Sequence, residues 1–357
     1  MRILYGVCGE GMGHAIRSAV VGAHLRGLGH DVTYVCSLGR AHEHLKASAT
    51  GRVIASLGTH MSLSRNRVQP EWTALGNALA QLTLGPMAHA LTAAQVSKPD
   101  VAISDFDPWV ARYAGLSGLP LVAVDNVHFM TRCTHPLGAA MRDDDDRAAA
   151  ALMYPVVQGM VPDARRYIVT SFVPTGVSAP KDARTTSVHL PILRQETLAE
   201  TRADLGHVVV YFNDKAEVGR LTRELQGLGR MFHVYGTDVK APRQEGDVLF
   251  MPMGNGFLHD LATSHAAIAG AGFTTMTEAI YLGKPMLAVP FEGQYEQILN
   301  SNHLELAGYG ERARHLTRAT VGAFLGRVDV YKRQLGDGPA HDGNRALLRA
   351  VDEAIGA

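Results

Sequence analysis

A glycine-rich turn that ends in a histidine is the first feature of this sequence that could do chemistry. A strand-like run leads into residues 6–14, GVCGEGMGH, and a helical pattern follows. Glycines such as Gly11 and Gly13 let backbone N–H groups approach a ligand, and the N-terminus of the next helix favours anionic or polar oxygen atoms. His14 stands at the mouth of this turn, and an imidazole is suited to act as a general base near neutral pH. A tight turn without a ligand is the alternative interpretation.

The same turn must be compared with the dinucleotide-binding fingerprint. That fingerprint requires GxGxxG and an acidic residue at the end of the second strand, which holds the ribose. Counted from Gly9, the sixth place of the pattern is His14 instead of glycine. The second strand ends in residues 35–37, VCS, which include no carboxylate. The sequence therefore disfavours NAD binding.

Two aspartates follow the strand that ends at Ser104, and we expect both to reach the same edge of the sheet as the glycine turn. We interpret Asp107 as the N-cap of the helix that begins with Pro108. Asp105 could accept a hydrogen bond from one imidazole nitrogen, fix the tautomer and make the other nitrogen more basic. A plain turn-forming role for Asp105 is the alternative.

A second strand-to-helix turn, residues 269–278 with the sequence AGAGFTTMTE, predicts a cradle for phosphate. Gly272 and the hydroxyls of Thr274 and Thr275 stand where the first-turn N–H groups of the helix are unpaired. We expect Glu278, one helical turn later, to point back toward these groups, where a ribose diol would satisfy it. A later helix start supplies one acid and two amides suited to sugar hydroxyls: Glu296, Gln297 and Asn300.

The elements that must position these turns alternate along the chain. Short β-branched runs are followed by longer helical patterns in both halves of the sequence. This alternation predicts an α/β protein with two Rossmann-like, doubly wound domains and a cleft between them. The stretch 174–191, rich in Pro, Ser, Thr and Gly, is the best candidate for the linker. We predict domains over residues 1–185 and 186–340 and a C-terminal helix over 341–357, and we base nothing on residues 328–340.

The composition is that of a globular protein. Of 357 residues 46% are apolar, and 34 basic side chains balance 34 acidic ones. These values exclude a disordered chain and disfavour a nucleic-acid binder, which would carry a basic excess. The three cysteines have neither the spacing of a zinc site nor the density of a disulfide scaffold, which favours a reducing cytoplasm. We expect no signal peptide and no membrane-spanning segment.

In these motifs the sequence resembles GT-B fold glycosyltransferases, both the MurG-like and plant-type UDP-glycosyltransferases and a related microbial family. The plant donor signature reads HCGWNSTLE, followed by a DQ pair and an Asn. Here GAGFTTMTE takes its place, and the residues that follow are Glu296, Gln297 and Asn300. The resemblance implies that Thr275 binds the diphosphate and Glu278 the ribose hydroxyls. It implies further that Glu296 and Gln297 bind the transferred sugar.

The resemblance extends to the first turn, where His14 takes the place of the family's catalytic base and Asp105 that of the aspartate that orients it. Two departures accompany this match. Gly270 replaces the signature histidine, so one side-chain contact to phosphate is lost. MurG-like enzymes also carry a glycine-rich loop after the first strand of the second domain. Residues 211–215, YFNDK, replace that loop here, and Asn213 or Lys215 could reach phosphate instead.

The predicted function is metal-independent, inverting transfer of a sugar from a nucleotide-diphosphate donor, with UDP preferred, to a hydroxyl acceptor. The resemblance assigns the acceptor to residues 1–185 and the nucleotide sugar to residues 186–340, and it requires no further cofactor. The acceptor is unknown. A lipid-linked acceptor, with peripheral contact at the inner membrane face, is one alternative for an otherwise cytoplasmic enzyme. Two other functions stay open: a nucleotide-sugar epimerase of the same fold and a non-catalytic nucleotide-sugar-binding protein.

Neither the histidines nor an aspartate run predicts a metal site. The chain has 17 histidines but no HExxH motif and no close His/Cys spacing. The run Asp143 to Asp146 is similar to the DxD metal motif of the other major glycosyltransferase fold. Its flanking Arg142 and Arg147 favour a solvated helix start instead.

Overall fold

The computed structural model of the protein describes most of the chain, namely residues 1–48, 51–56, 63–64, 67–68, 85–173, 177–212, 222–254, 256–336 and 338–356. Asn213 and Lys215, which we expected near phosphate, lie outside these residues. The start of the expected linker, residues 174–176, also lies outside them.

The N-terminal half is built on a parallel sheet. The described strands of this half are β1 (Arg2–Val7), β2 (Asp31–Ser37), β3 (Arg52–Ser56), β4 (Leu63–Ser64), β5 (Arg67–Val68), β6 (Val101–Asp105), β7 (Leu121–Asp125), β8 (Cys133–Thr134), β9 (Arg166–Thr170), β10 (Ala179–Pro180) and β11 (Thr186–His189). Seven of them form the sheet, in the order β11-β9-β7-β6-β1-β2-β3, and all its pairings are parallel. Strands β6 and β7 are buried along their whole length because helices cover both faces.

The helices of this half follow the strands, as the alternation predicts. They are α1 (Met12–Gly27), α2 (Arg40–Ser48), α3 (Gly85–Ser97), α4 (Pro108–Ser117), α5 (Phe129–Arg132), α6 (Leu137–Ala140) and α7 (Asp144–Met160). The predicted cap of α4 is confirmed, since the Asp107 carboxylate accepts from the N–H groups of Trp109 at 3.1 Å and Val110 at 2.8 Å. Burial raises the pKa of Asp107 to about 6, and these two hydrogen bonds oppose that rise.

The C-terminal half repeats the architecture. Its strands are β12 (Val208–Tyr211), β13 (Phe232–Tyr235), β14 (Arg243–Glu245), β15 (Val248–Phe250), β16 (Ala266–Ala269), β17 (Met286–Ala288) and β18 (Gly310–Arg312). They form one sheet in the order β14-β15-β13-β12-β16-β17-β18, in which β14 is antiparallel to its neighbour and the other pairings are parallel. The helices are α8 (Gln195–Ala199), α9 (Gly256–Thr263), α10 (Phe273–Tyr281), α11 (Tyr295–Leu306), α12 (Arg318–Leu325), α13 (Val328–Leu335) and α14 (Asn344–Ile355).

Strand β11 carries the first sheet past the predicted domain boundary. It pairs with β9 from Thr186 opposite Tyr167 to His189 opposite Thr170. The first domain therefore continues to His189, four residues beyond the end predicted at residue 185. The Pro-, Ser- and Thr-rich composition of this stretch conceals a short edge strand, most of whose side chains are only half-buried.

The C-terminal helix α14 returns to the first domain. Leu347 and Val351 are fully buried in the same apolar core as Ile3 and Leu25. The side chain of Asn344 also binds the segment that leaves the first domain. Its Oδ1 accepts from the Leu193 N–H at 2.7 Å, and its Nδ2 donates to the Leu193 carbonyl at 2.8 Å. The two chain segments that connect the domains are thus hydrogen-bonded to each other.

Candidate active site

The two glycine-rich turns face each other across the cleft between the domains. A Cβ atom at Gly13, in the first turn of α1, would lie 2.5 Å from Oγ1 of Thr274, in the first turn of α10. Only glycine leaves room for this approach. Gly11 stands at the N-cap of α1 with a φ of 85°, a left-handed conformation that favours glycine. The sequence-predicted acceptor and donor turns therefore belong to one site.

His14 and Asp105 form a hydrogen-bonded pair at this site. Strands β1 and β6 are neighbours, with Val7 opposite Asp105, so the residues that follow them share one edge of the sheet. His14 Nδ1 lies 2.7 Å from Asp105 Oδ1, and the carboxylate is fully buried while the imidazole is 13% exposed. An unprotonated nitrogen would repel a carboxylate at this distance, so Nδ1 carries a proton, and in the neutral imidazole Nε2 is then the nitrogen with the free lone pair.

Two further side chains of α1, which the sequence reasoning missed, hold the same carboxylate. Arg17 donates from Nε to Asp105 Oδ2 at 2.9 Å and from Nη2 to Oδ1 at 2.6 Å. Ser18 Oγ donates to Oδ2 at 3.2 Å. The available signal was spacing, because residues three and four positions after His14 share its helix face. Asp105 is therefore saturated with donors from a single helix.

Strained backbone occurs directly beside the pair. Phe106 has a φ of 55°, which is uncommon for a residue other than glycine. Its ring lies parallel to the imidazole of His14, with the ring centres 6.4 Å apart, and meets the ring of His128 edge-on at 5.8 Å. Such a conformation is costly and persists where surrounding packing enforces it. It leaves an aromatic ring against the imidazole that we expect to meet the acceptor.

The second turn presents hydroxyls at a helix N-terminus. Gly272 is the N-cap of α10, and it makes no side-chain cap, so first-turn N–H groups stay available to a ligand. Thr274 and Thr275 are half-buried, and their hydroxyls have no hydrogen-bond partner among the described residues. The backbone and side-chain donors together suit an anion. Phosphate binding at this turn stays a prediction.

Glu278 is buried within the protein and already has partners. Its Oε1 accepts from Arg194 Nε at 2.7 Å and from Thr197 Oγ1 at 2.9 Å, and its Oε2 accepts from Arg194 Nη2 at 3.2 Å. Burial raises the pKa of Glu278, and the Arg194 guanidinium opposes that rise. Arg194 and Thr197 lie about eighty residues earlier in the chain, so no local pattern could have indicated them. Oε2 keeps the greater capacity to accept another donor.

Glu296 connects the two domains. Its Oε1 accepts from Nδ2 of Asn126, the residue after β7, at 2.8 Å. Asn126 in turn accepts at Oδ1 from Arg17 Nη1 at 3.2 Å. The predicted sugar-binding acid is therefore joined, through two side chains, to the Asp105 carboxylate.

Gln297 and Asn300 hydrogen-bond to the backbone of two loops at the predicted donor site. Gln297 Oε1 accepts from the N–H of Phe291 at 3.0 Å, and Asn300 Nδ2 donates to the carbonyl of Ala271 at 3.2 Å. Both side chains are less than a tenth exposed. Their contacts fix the loop that follows β16 and the loop that precedes α11. Gln297 retains its amide N–H groups for a ligand.

Comparison with known proteins decides the family. The sequence profile described as glycosyl transferase family 1 matches residues 1–329. The chain belongs to glycosyl transferase family 1. Two relatives of this glycosyltransferase come from Methanosarcina acetivorans, and both bear the name uncharacterized glycosyltransferase. One is 24% identical over 100% of this chain and 99% of its own, and the other 23% identical over 90% and 86%.

Solved structures similar to this glycosyltransferase establish its fold. The calicheamicin glycosyltransferase has a TM-score of 0.68 at 17% identity, covering 100% of this chain and 98% of its own. The spinosyn rhamnosyltransferase complexed with thymidine diphosphate has a TM-score of 0.61 at 16% identity, covering 99% and 100%. The predicted GT-B fold, with two Rossmann-like domains facing a cleft, is confirmed. No helix among the described parts of the chain is long and apolar enough to cross a membrane.

The aspartate run of this glycosyltransferase forms ion pairs between the domains. Asp143 caps α7, as a helix start should, by accepting from the N–H of Asp146 at 2.9 Å, and it pairs with Arg314. Asp146 is not solvated, which corrects our prediction. It is fully buried, and the Arg312 guanidinium donates to both its oxygens, at 2.8 and 2.9 Å. The apparent DxD motif therefore binds arginines of the second domain.

One group of side chains in the described part of the glycosyltransferase has donor atoms close enough for a metal. His207, His233 and Asp260 have candidate ligand atoms within 4.8 Å of one another. The two imidazoles, however, stack with centres 4.2 Å apart and planes 16° from parallel, so no ion could lie in both ring planes. Tyr235 Oη and His233 hydrogen-bond to the carboxylate of Asp260, and Nε2 of His207 lies 3.0 Å from the Asp260 carbonyl and 3.1 Å from its carboxylate. We interpret this group as a hydrogen-bonded network.

Proposed function

We propose that this glycosyltransferase moves a sugar from a UDP-linked donor to a hydroxyl acceptor in one inverting displacement. The acceptor oxygen attacks the anomeric carbon while the bond from that carbon to the diphosphate breaks. His14 Nε2 takes the acceptor proton, and the nucleoside diphosphate leaves. The observation that carries this proposal is the His14–Asp105 pair, 2.7 Å apart, on a turn that faces Thr274 across the cleft.

The donor turn supports the departure of the diphosphate. The N-terminus of α10 and the hydroxyls of Thr274 and Thr275 offer donors where negative charge develops. Glu278 Oε2 has capacity for a ribose hydroxyl, and Glu296 and Gln297 for hydroxyls of the transferred sugar. The bound thymidine diphosphate of the spinosyn rhamnosyltransferase makes TDP-sugars the second donor class to test.

The test begins with donors and ends with products. A panel of UDP- and TDP-sugars is screened by thermal shift, because a ligand that binds the folded state raises its melting temperature. Donors that bind are then incubated with alcohols, phenols and extracted lipids. Lipids are included because Leu152 and Val156 of α7 are exposed. NMR of the product should show the anomeric configuration opposite to that of the donor. Retained configuration contradicts single displacement, and an isomerised donor without acceptor product identifies an epimerase.

Glu278→Ala should weaken the binding of UDP. Deleting a hydrogen-bonding carboxylate from the ribose site costs about 1 to 3 kcal/mol, or roughly a 5- to 150-fold rise in Kd. Calorimetry with UDP measures the change. Glu196→Ala, on the exposed side of α8, is the matched control and should bind UDP as the wild type does. Equal UDP affinity in the Glu278 variant would remove this carboxylate from the ribose role.

Removing divalent metal should leave turnover nearly unchanged. The charge of the departing diphosphate is balanced by helix N–H groups and hydroxyls, and Asp143 and Asp146 are engaged by arginines. Turnover is compared with and without EDTA, then with added magnesium or manganese. A strict dependence on either ion contradicts the proposed mechanism.

A further inference from the structure

A buried arginine lies where the proposed mechanism requires only a histidine and an aspartate. Arg17 is 4% exposed, and its guanidinium forms two parallel hydrogen bonds with Asp105, at 2.9 and 2.6 Å. Nη2 of Arg17, which donates the shorter of these two bonds, also lies 3.2 Å from Nδ1 of His14. An Asp–His pair orients an imidazole without any arginine. The presence of Arg17 therefore needs a physical reason.

The burial of the carboxylate supplies that reason. Asp105 has no exposed surface, and an anion in such surroundings requires compensating charge and filled hydrogen-bonding positions. A general base has to be neutral before it takes a proton, so in the proposed mechanism the imidazole of His14 contributes a hydrogen bond but no charge. The guanidinium contributes the charge, and its rigid fork also fixes the plane of the carboxylate. One oxygen is thereby turned toward His14 Nδ1.

We infer that Arg17 is a positioning residue of the transfer reaction. It holds Asp105 as an oriented anion, so that Nδ1 of His14 keeps its proton and Nε2 is directed to the acceptor hydroxyl. The inference rests on the proposed function in one respect, that His14 is the base. Its structural part, the control of the imidazole tautomer by Arg17, does not depend on donor or acceptor.

The same guanidinium extends the control to the donor side. Nη1 of Arg17 donates to Asn126, which donates to Glu296 of the second domain at 2.8 Å. Asn126 is 6% exposed, so this path is shielded from water. A continuous set of hydrogen bonds thus runs from the base to the acid proposed to hold the sugar. Arg17 is thereby hydrogen-bonded toward both the base and the donor side of the site.

The test reads the tautomer of His14 directly in the full-length protein without substrate. The probe is the ring ¹⁵N spectrum of isotope-labelled histidines, with His14 assigned by its loss in His14→Ala. In the wild type we expect a single neutral form with the proton on Nδ1. In Arg17→Gln we expect a mixture of the two neutral tautomers. Arg26→Gln, on the same helix, is the matched control and should leave the His14 signals unchanged.

An unchanged His14 spectrum in folded Arg17→Gln overturns the inference. Should that variant fail to fold, Arg17→Lys carries the test. A lysine ammonium keeps the charge but cannot form the fork, so we expect a mixture with the Nδ1–H form in excess, and a wild-type spectrum overturns the inference. Asn126→Ala cuts the path beyond Arg17 and should keep the wild-type tautomer. If the tautomer responds as expected while His14→Ala retains full turnover, the base assignment fails, the role of Arg17 in transfer is overturned with it, and only the control of the His14 tautomer by Arg17 stands.

Discussion

His14→Ala should lower the turnover number about 100-fold or more while leaving donor affinity nearly unchanged. General base catalysis typically contributes a factor of this size or larger. Donor affinity is spared because the imidazole belongs to the first domain, whereas the proposed donor residues belong to the second. Turnover is measured with an acceptor found in the product screen, and donor binding by calorimetry, so that loss of chemistry is separated from loss of binding.

Two further variants sharpen this prediction. Asp105→Asn should also lower turnover, because an amide can favour the other tautomer of His14 and supplies no charge. His259→Ala, which removes an imidazole that is 68% exposed and pairs with Glu200 in the second domain, should behave as the wild type. Full turnover in His14→Ala, or loss of donor binding in that variant, would show that the pair is not the catalytic base system.

Asp146→Ala should reduce the free energy of unfolding by about 3 to 5 kcal/mol. The substitution removes one member of a buried ion pair and leaves Arg312, which is 8% exposed, without its carboxylate. The Nε atom of Arg312 is buried and has no hydrogen-bond partner even in the native protein. We therefore expect few nearby groups to replace the lost carboxylate. Denaturant unfolding measures the change. We expect the transition to move without a new intermediate, because the pair joins both domains.

Asp144→Ala is the matched control, since it removes an aspartate of the same run that is 93% exposed. Its ion pair with Arg147 is a surface pair, and we expect a change of about 0.5 kcal/mol or less. The Asp146 contribution should also depend on pH. Despite burial, hydrogen bonds from Arg312 hold the pKa of Asp146 below its ordinary 3.8, so the contribution is complete above that pH and is lost as the pH falls through the lower folded pKa. Equal stability of the two variants would contradict the buried-pair interpretation.

The sequence predicted features that depend on local order in the chain. His14 and Asp105 follow strands that the alternating pattern indicates, and parallel neighbours bring their ends together. Asp107 could be interpreted from its place before Pro108. The glycine turn around Thr274 is likewise a local pattern. In each case the residues adjacent in the sequence are enough to predict the position of the side chain.

Features that depend on distant partners could not be predicted in this way. Nothing near Arg194 in the sequence indicates that it will bind Glu278. Nothing near Asp146 indicates that it will form a buried ion pair with Arg312. For Asp146 the charge itself suggested solvent, because an isolated charge is rarely buried. Arg17 is an intermediate case. Its spacing from His14 was visible, but its burial becomes evident only when β6 places Asp105 against α1.

The return of α14 to the first domain changes how the enzyme can be divided and recombined. The first domain is not a single contiguous piece, so a chimaera of two relatives must combine residues 1–189 of one parent with its own 344–355. Cutting once at the linker would strip Leu347 and Val351 from the core they complete. Because Asn344 hydrogen-bonds to Leu193, the domains are connected by two chain segments that are fixed to each other. With two hydrogen-bonded segments crossing between the domains, a rotation of one domain against the other has to bend both segments together.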